Sequence, residues 1–269
     1  MAMKKNLERA IILGLILSTG VYGTAWAEDF NNIIDDNDNL QLGEPVYGLN
    51  GDEYHFEILG DSYYNSEKLF DVINVTVKNN YYHMGGDAGD WAVGISTIDR
   101  DGLINKANVS LNAINNINVN VQTRNAQNAY GLLADDDGKY ITLNSQQGNI
   151  VIDVSKTKGI KSLTSAVDPD SVNYEKAEVH AISAENNGTA NLTAENGNIL
   201  ISVGYDLTDA NAIETEKLQQ GNIYGIGNSK GTIDLSANGN TDGVGAIQVE
   251  AKAHTGNAYG LNSLQAVKK

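Results

Sequence analysis

Hydrolysis would need an activated nucleophile beside a base, and the 269-residue sequence holds few candidates for either. The four histidines, His55, His83, His180 and His254, stand apart without the spacing of a catalytic triad or a metal site. Carboxylates remain. Asp135-Asp136-Asp137, with Lys139 close by, has the residue types a polysaccharide lyase needs to hold Ca²⁺ and take a proton from a uronate. The same residues suit a solvated turn ahead of a strand, since turns favour Asp and Gly, and that reading is preferred. Asp35, Asp36 and Asp38 form a second acidic group that lacks the Gly and distal Glu of an EF-hand loop. Cysteine is absent, which excludes disulfides and thiolate metal sites. No catalytic residue, metal or cofactor is assigned, and the chain is read as a non-enzyme.

Tyrosine supplies the more suggestive pattern. Tyr47, Tyr130, Tyr224 and Tyr259 recur at one position of a short repeated motif, and His180 takes that position in another copy. Rings at one repeat position can stack, and an exposed stack could hold sugar rings or the apolar surface of a partner. The plainer expectation is that they stabilise the repeat through contacts along one face. Tyr81 and Tyr82, in Tyr81-Tyr82-His83-Met84-Gly85-Gly86, are the loop candidates for recognition.

These residues sit on a repeat. Ala129-Tyr130-Gly131-Leu132 returns as Ala258-Tyr259-Gly260-Leu261. Looser copies begin at Val46, Ala92, Val179 and Ile223. Each copy before the last is followed by two apolar residues two apart: Phe56 and Ile58, Val109 and Leu111, Ile141 and Leu143, Ala190 and Leu192, Ile233 and Leu235. An alternating run comes next, starting at Ile73, Ile117, Ile150, Ile199 and Ile247. Alternation of β-branched with polar residues marks strands that bury one face.

The pattern predicts an all-β chain, a right-handed parallel β-helix of about five coils. Inward residues should form aliphatic columns, and Asn and Asp at the corners should form side-chain ladders. The motif glycine is expected at a corner, where it permits positive φ. An antiparallel meander is the alternative, since Asn196-Gly197 is a strong hairpin signal that would pair Leu192 with Ile201. Joins of unequal length at the matching place favour the solenoid. The long joins, Lys156 to Ala177 and Asp206 to Gly221, are expected to protrude as mobile loops.

The first 27 residues read as a cleaved signal peptide: Lys4, Lys5 and Arg9, then an apolar stretch from Ala10 to Val21, then Ala25-Trp26-Ala27. That stretch is shorter than the ~20 apolar residues of a spanning helix. Without Lys4, Lys5, Arg9 and Glu8, 15 basic side chains face 33 acidic ones, a net charge of −18. Nucleic acid and anionic lipid are therefore not expected partners.

The export signal, the missing cysteines and units of the form Ala-Tyr-Gly-Leu, Ile-x-Leu, Gly-Asn-Ile-x-Ile-x-Val resemble the passenger region of bacterial autotransporters, over about Pro45 to Leu261. The resemblance implies a parallel β-helix displayed on the cell surface or secreted, with adhesion to host or bacterial surface glycans or proteins as its role. It divides the chain into a signal peptide (1–27), an acidic segment (28–44), solenoid repeats (45–261) and a tail (262–269). No translocator barrel follows, so periplasmic retention is the expectation if no separate translocator acts. The last motif copy opens a coil that residues 262–269 cannot complete. The chain is accordingly expected to be a fragment of a longer adhesin or to pair with another chain at this edge. A carbohydrate-active β-helix is the alternative function.

Overall fold

The computed structural model describes residues 29–36, 46–50, 69–79, 91–97, 108–123, 128–156, 178–205, 222–239, 245–253 and 257–263. These residues are all-β, and none is helical. Strand β1 (Phe30–Asp36) comes first. Triplets follow: β2 (Val46–Asn50), β3 (Leu69–Phe70) and β4 (Ile73–Asn79), then β5 (Trp91–Ser96), β6 (Val109–Ala113) and β7 (Ile117–Thr123). Next are β8 (Asn128–Asp135), β9 (Tyr140–Ser145) and β10 (Ile150–Lys156), then β11 (Glu178–Glu185), β12 (Thr189–Ala194) and β13 (Ile199–Tyr205). The last are β14 (Asn222–Ser229), β15 (Thr232–Ala237), β16 (Ile247–Lys252) and β17 (Ala258–Ser263).

Every third strand joins the same sheet. The first sheet runs β1-β4-β7-β10-β13-β16, the second β2-β5-β8-β11-β14-β17 and the third β3-β6-β9-β12-β15. All strand pairs are parallel, in the order of a parallel β-solenoid. The hairpin alternative does not form. Leu192 pairs with Leu143 and Leu235, while Ile201 pairs with Ile152 and Val249 in another sheet.

Two boundaries differ from expectation. β1 pairs with β4, Phe30 opposite Ile73, so the repeat register begins within the segment read as an acidic lead-in. Phe56 and Ile58 lie outside the described residues, and the third-sheet strand at that level is β3. The long joins 157–177 and 206–221 also lie outside them.

The core follows from the alternation. Val75, Val119, Ile152 and Ile201 share one inward row and are at most 3% exposed. Ile141, Leu143, Ala190 and Leu192 close the core from the third sheet, and Ala129, Leu132, Val179 and Ile182 from the second. Burial of such side chains contributes about 1.5–3 kcal/mol each, which is why the pattern dictates the register.

The motif glycine has a different reason from the one expected. The only described glycines with positive φ are Gly138 and Gly239. Gly131 instead points into the narrow interior. A Cβ there would lie 2.6 Å from Ile152 Cγ2 and 2.5 Å from the Ala181 carbonyl oxygen of the next coil. Gly94 meets the Gly131 carbonyl oxygen in the same way, at 2.6 Å.

Asparagines tie the coils together at the corners. The Asn116 Oδ1 accepts from the Asn149 N–H, the Asn149 Oδ1 from the Asn198 N–H, and the Asn198 Oδ1 from the Ala246 N–H, at 2.8, 2.8 and 2.9 Å. On the outer face of the first sheet, Asn118 donates to Asn74 and Asn74 to Asn31, each at 2.8 Å. Each side chain supplies what the adjoining coil lacks, as an amide carrying both donors and an acceptor can.

Candidate functional site

The second sheet brings the motif tyrosines together. Its register places Tyr47, Val93, Tyr130, His180, Tyr224 and Tyr259 in one row. Parallel strands about 4.8 Å apart hold such rings near stacking distance. Tyr130 and His180 have centroids 5.1 Å apart, His180 and Tyr224 4.5 Å, and Tyr224 and Tyr259 5.2 Å. Interplanar angles of 21°, 27° and 10° make the stack continuous. Val93 interrupts it on the N-terminal side.

The stack is largely closed to solvent. Tyr130, His180 and Tyr224 are 5%, 7% and 8% exposed, while Tyr259 is 38% exposed. Of the ladder expected from sequence, only Tyr259 is open among the rings whose exposure is described. A neighbouring row, Ser96, Leu133, Ser183 and Gly227, flanks the rings. Ser96, Leu133 and Ser183 are buried as well. Sequence reasoning passed over this row, although Leu133 breaks the polar alternation and was a usable signal.

His180 has the most particular surroundings. Its Nε2 lies 3.2 Å from Glu178 Oε2, two residues earlier on the same face of β11. Its Nδ1 is buried and has no hydrogen-bond partner among the described residues. A Cβ on Gly227 would lie 2.6 Å from that nitrogen, so the ring occupies space that Gly227 leaves open. The hydrogen bond from His180 holds the Glu178 carboxyl below its usual range, with burial opposing and the charge of His180 assisting. Burial is the main cause that pushes the Tyr224 phenol up, followed by the nearby Glu178 charge.

The carboxylate candidates lead elsewhere. Residues 136–139 turn the chain from β8 into β9, with Asp136 at φ 86° and Gly138 at φ 74°. The Lys139 N–H donates to the Asp136 carbonyl oxygen at 3.2 Å. The Asp135 carboxylate accepts from Asn186 Nδ2 at 2.8 Å, and its backbone bonds to the Thr97 hydroxyl at 2.9 Å. These are structural contacts between coils. No group of three or more His, Cys, Asp or Glu is placed to hold a metal ion among the described residues. Nor is any described helix long and apolar enough to cross a membrane.

Tyr81, Tyr82, His55, His83, His254 and Asp38 lie outside the described residues. Asp35 and Asp36 lie in β1. Compared with protein-family models, curated proteins and solved structures, the chain gives no match.

Proposed function

We propose that this chain is an exported, non-catalytic display protein, a right-handed parallel β-helix of about five coils that carries recognition segments for adhesion to surface glycans or proteins. The observation that supports this reading is where the chain varies. The joins 51–68, 80–90, 97–108, 157–177 and 206–221 all border the second sheet. The corners from the third sheet to the first are mostly tight, such as 71–72, 114–116, 146–149 and 195–198. A repeating core that accepts length variation along the borders of one sheet is suited to presenting segments outward. Right-handedness is the hand that parallel crossover connections nearly always take. The autotransporter-like repeat style and the signal-like N-terminus favour export to the surface.

The test is binding to glycan arrays and to whole cells by the full chain and by a variant with 157–177 and 206–221 replaced by the short link 124–127. Loss of binding with an unchanged thermal transition is the expected result. Equal binding by both proteins refutes presentation by those joins. Release of unsaturated product from acidic polysaccharides would replace the display reading with a lyase.

A further inference from the structure

The layer formed by β15, β16 and β17 has the composition of an interior layer, yet it lies open. In the second sheet, Leu132, Ile182 and Ile226 are at most 8% exposed, whereas Leu261 in the same row is 73% exposed. In the first sheet, Ile150 and Ile199 are fully buried, whereas Ile247 is 46% exposed. Glycine gives the sharper indication. A Cβ at Gly94, Gly131 or Gly225 would collide with a carbonyl oxygen of the following coil, but at Gly260 it would meet nothing within 4 Å. Glycine costs backbone entropy, and it is needed here where the next first-sheet strand and the following coil close over it.

The two ends of the described stack are also offset in a complementary way. β1 extends the first sheet by one strand at the N-terminal side, and β17 extends the second sheet by one strand at the C-terminal side. If β1 of a second copy lies on β16, then β2 of that copy falls on β17, with every strand still parallel. Both sheets then continue unbroken, and only one strand position of the third sheet stays empty. The motif Val46-Tyr47-Gly48-Leu49 would align with Ala258-Tyr259-Gly260-Leu261. Joining two C-terminal layers would instead reverse the strand direction and interrupt the first and third sheets.

We infer that the β15–β17 layer docks the β1–β3 layer of a second copy of this chain, head to tail, continuing the first two sheets across the junction. Such an interface is heterologous, so it propagates and does not stop at a dimer.

The experiment uses cross-linking and sedimentation of the full chain. The sequence has no cysteine, so Tyr47→Cys and Tyr259→Cys introduce the only thiols. Within one chain these positions are five strand steps apart, roughly 24 Å, beyond disulfide reach. Across the proposed junction they are adjacent at about 4.8 Å, within reach. The double variant should give a ladder of disulfide-linked multimers under mild oxidation, and each single variant should stay unlinked. In sedimentation, Leu261→Glu should weaken self-association by roughly tenfold or more, because it places a charge in the closed junction. Leu261 is mostly exposed, so its replacement leaves the fold intact. A ladder absent from the double variant, dimers from Tyr259→Cys alone, or association unchanged by Leu261→Glu would each overturn the proposal. So would a protein that stays monomeric at high concentration. In that case protected β16 and β17 amides would show that another part of the chain covers the layer.

Discussion

Gly131 and Gly260 have the same place in the motif and opposite surroundings, which makes them a controlled pair. Gly131→Ala would force a methyl against Ile152 and the Ala181 carbonyl, and overpacking of this kind costs about 1–3 kcal/mol. Gly260→Ala meets no atom, so chemical denaturation at low protein concentration should show a change within about 0.5 kcal/mol. His180 offers a second test at this scale. Because Glu178 is held below its usual range when folded, it contributes stability above the ordinary glutamate range, near about pH 4. That contribution is lost as pH falls through the lowered value. Glu178→Gln should therefore lower Tm at neutral pH, and the gap from the parent should close on acidification. The effect should be small, since the Glu178 side chain is 45% exposed. A gap that widens in acid would contradict the assigned hydrogen bond. The sequence shows that tyrosines share a position, but not that the stack is buried, because outward rings in an alternating pattern look exposed until Leu133 and Gly227 are seen beside them.

Strands were the most legible elements because burial of one face leaves a period-two trace. The five alternating runs each became a strand of the first sheet, and their isoleucines form its inward rows. β1 was harder to read. Its run Phe30-Asn31-Asn32-Ile33-Ile34 breaks the alternation, so only pairing with β4 reveals it. The motif glycines are visible in the sequence, yet their place inside second-sheet strands and their cause are not, since sequence cannot separate a need for positive φ from a need for space. Charge placement tests the facing directly. Ile152→Lys or Ile201→Lys buries an unpaired charge at a site at most 3% exposed. Each should cost more than about 3 kcal/mol and broaden or lower the cooperative transition followed by circular dichroism. Ser202→Lys, on the exposed outer face of the same strand as Ile201, should stay within about 0.5 kcal/mol of the parent. Equal costs at Ile201 and Ser202 would mean that the strand does not present these faces.

Across the whole molecule, the joins that border the second sheet vary far more in length than the third-to-first corners, which range from 71–72 to 238–246. At the corner 146–149 a Cβ on Gly148 would lie 2.5 Å from Asn116 Oδ1, and the Asn149 amide nitrogen bonds that same oxygen at 2.8 Å. Residues added there would separate Asn149 from both Asn116 and Asn198, cutting the corner ladder in two directions. The join 124–127 makes the opposite link, from the first sheet to the second, where 157–177 and 206–221 do the same with far more residues. The repeat therefore already closes that link at several lengths, and loop-closure free energy rises only slowly with length. Inserting a flexible Gly-Ser segment of about ten residues after Ala126 should lower stability by no more than about 1 kcal/mol. The same segment after Gln147 should cost several times as much, because it breaks hydrogen bonds as well as lengthening a loop. Thermal melts of the two insertion variants decide the matter. Tolerance at both places would show that the third-to-first corner is no more constrained than the joins beside the second sheet. Intolerance at both would remove the physical basis for a rod that carries variable segments beside its second sheet.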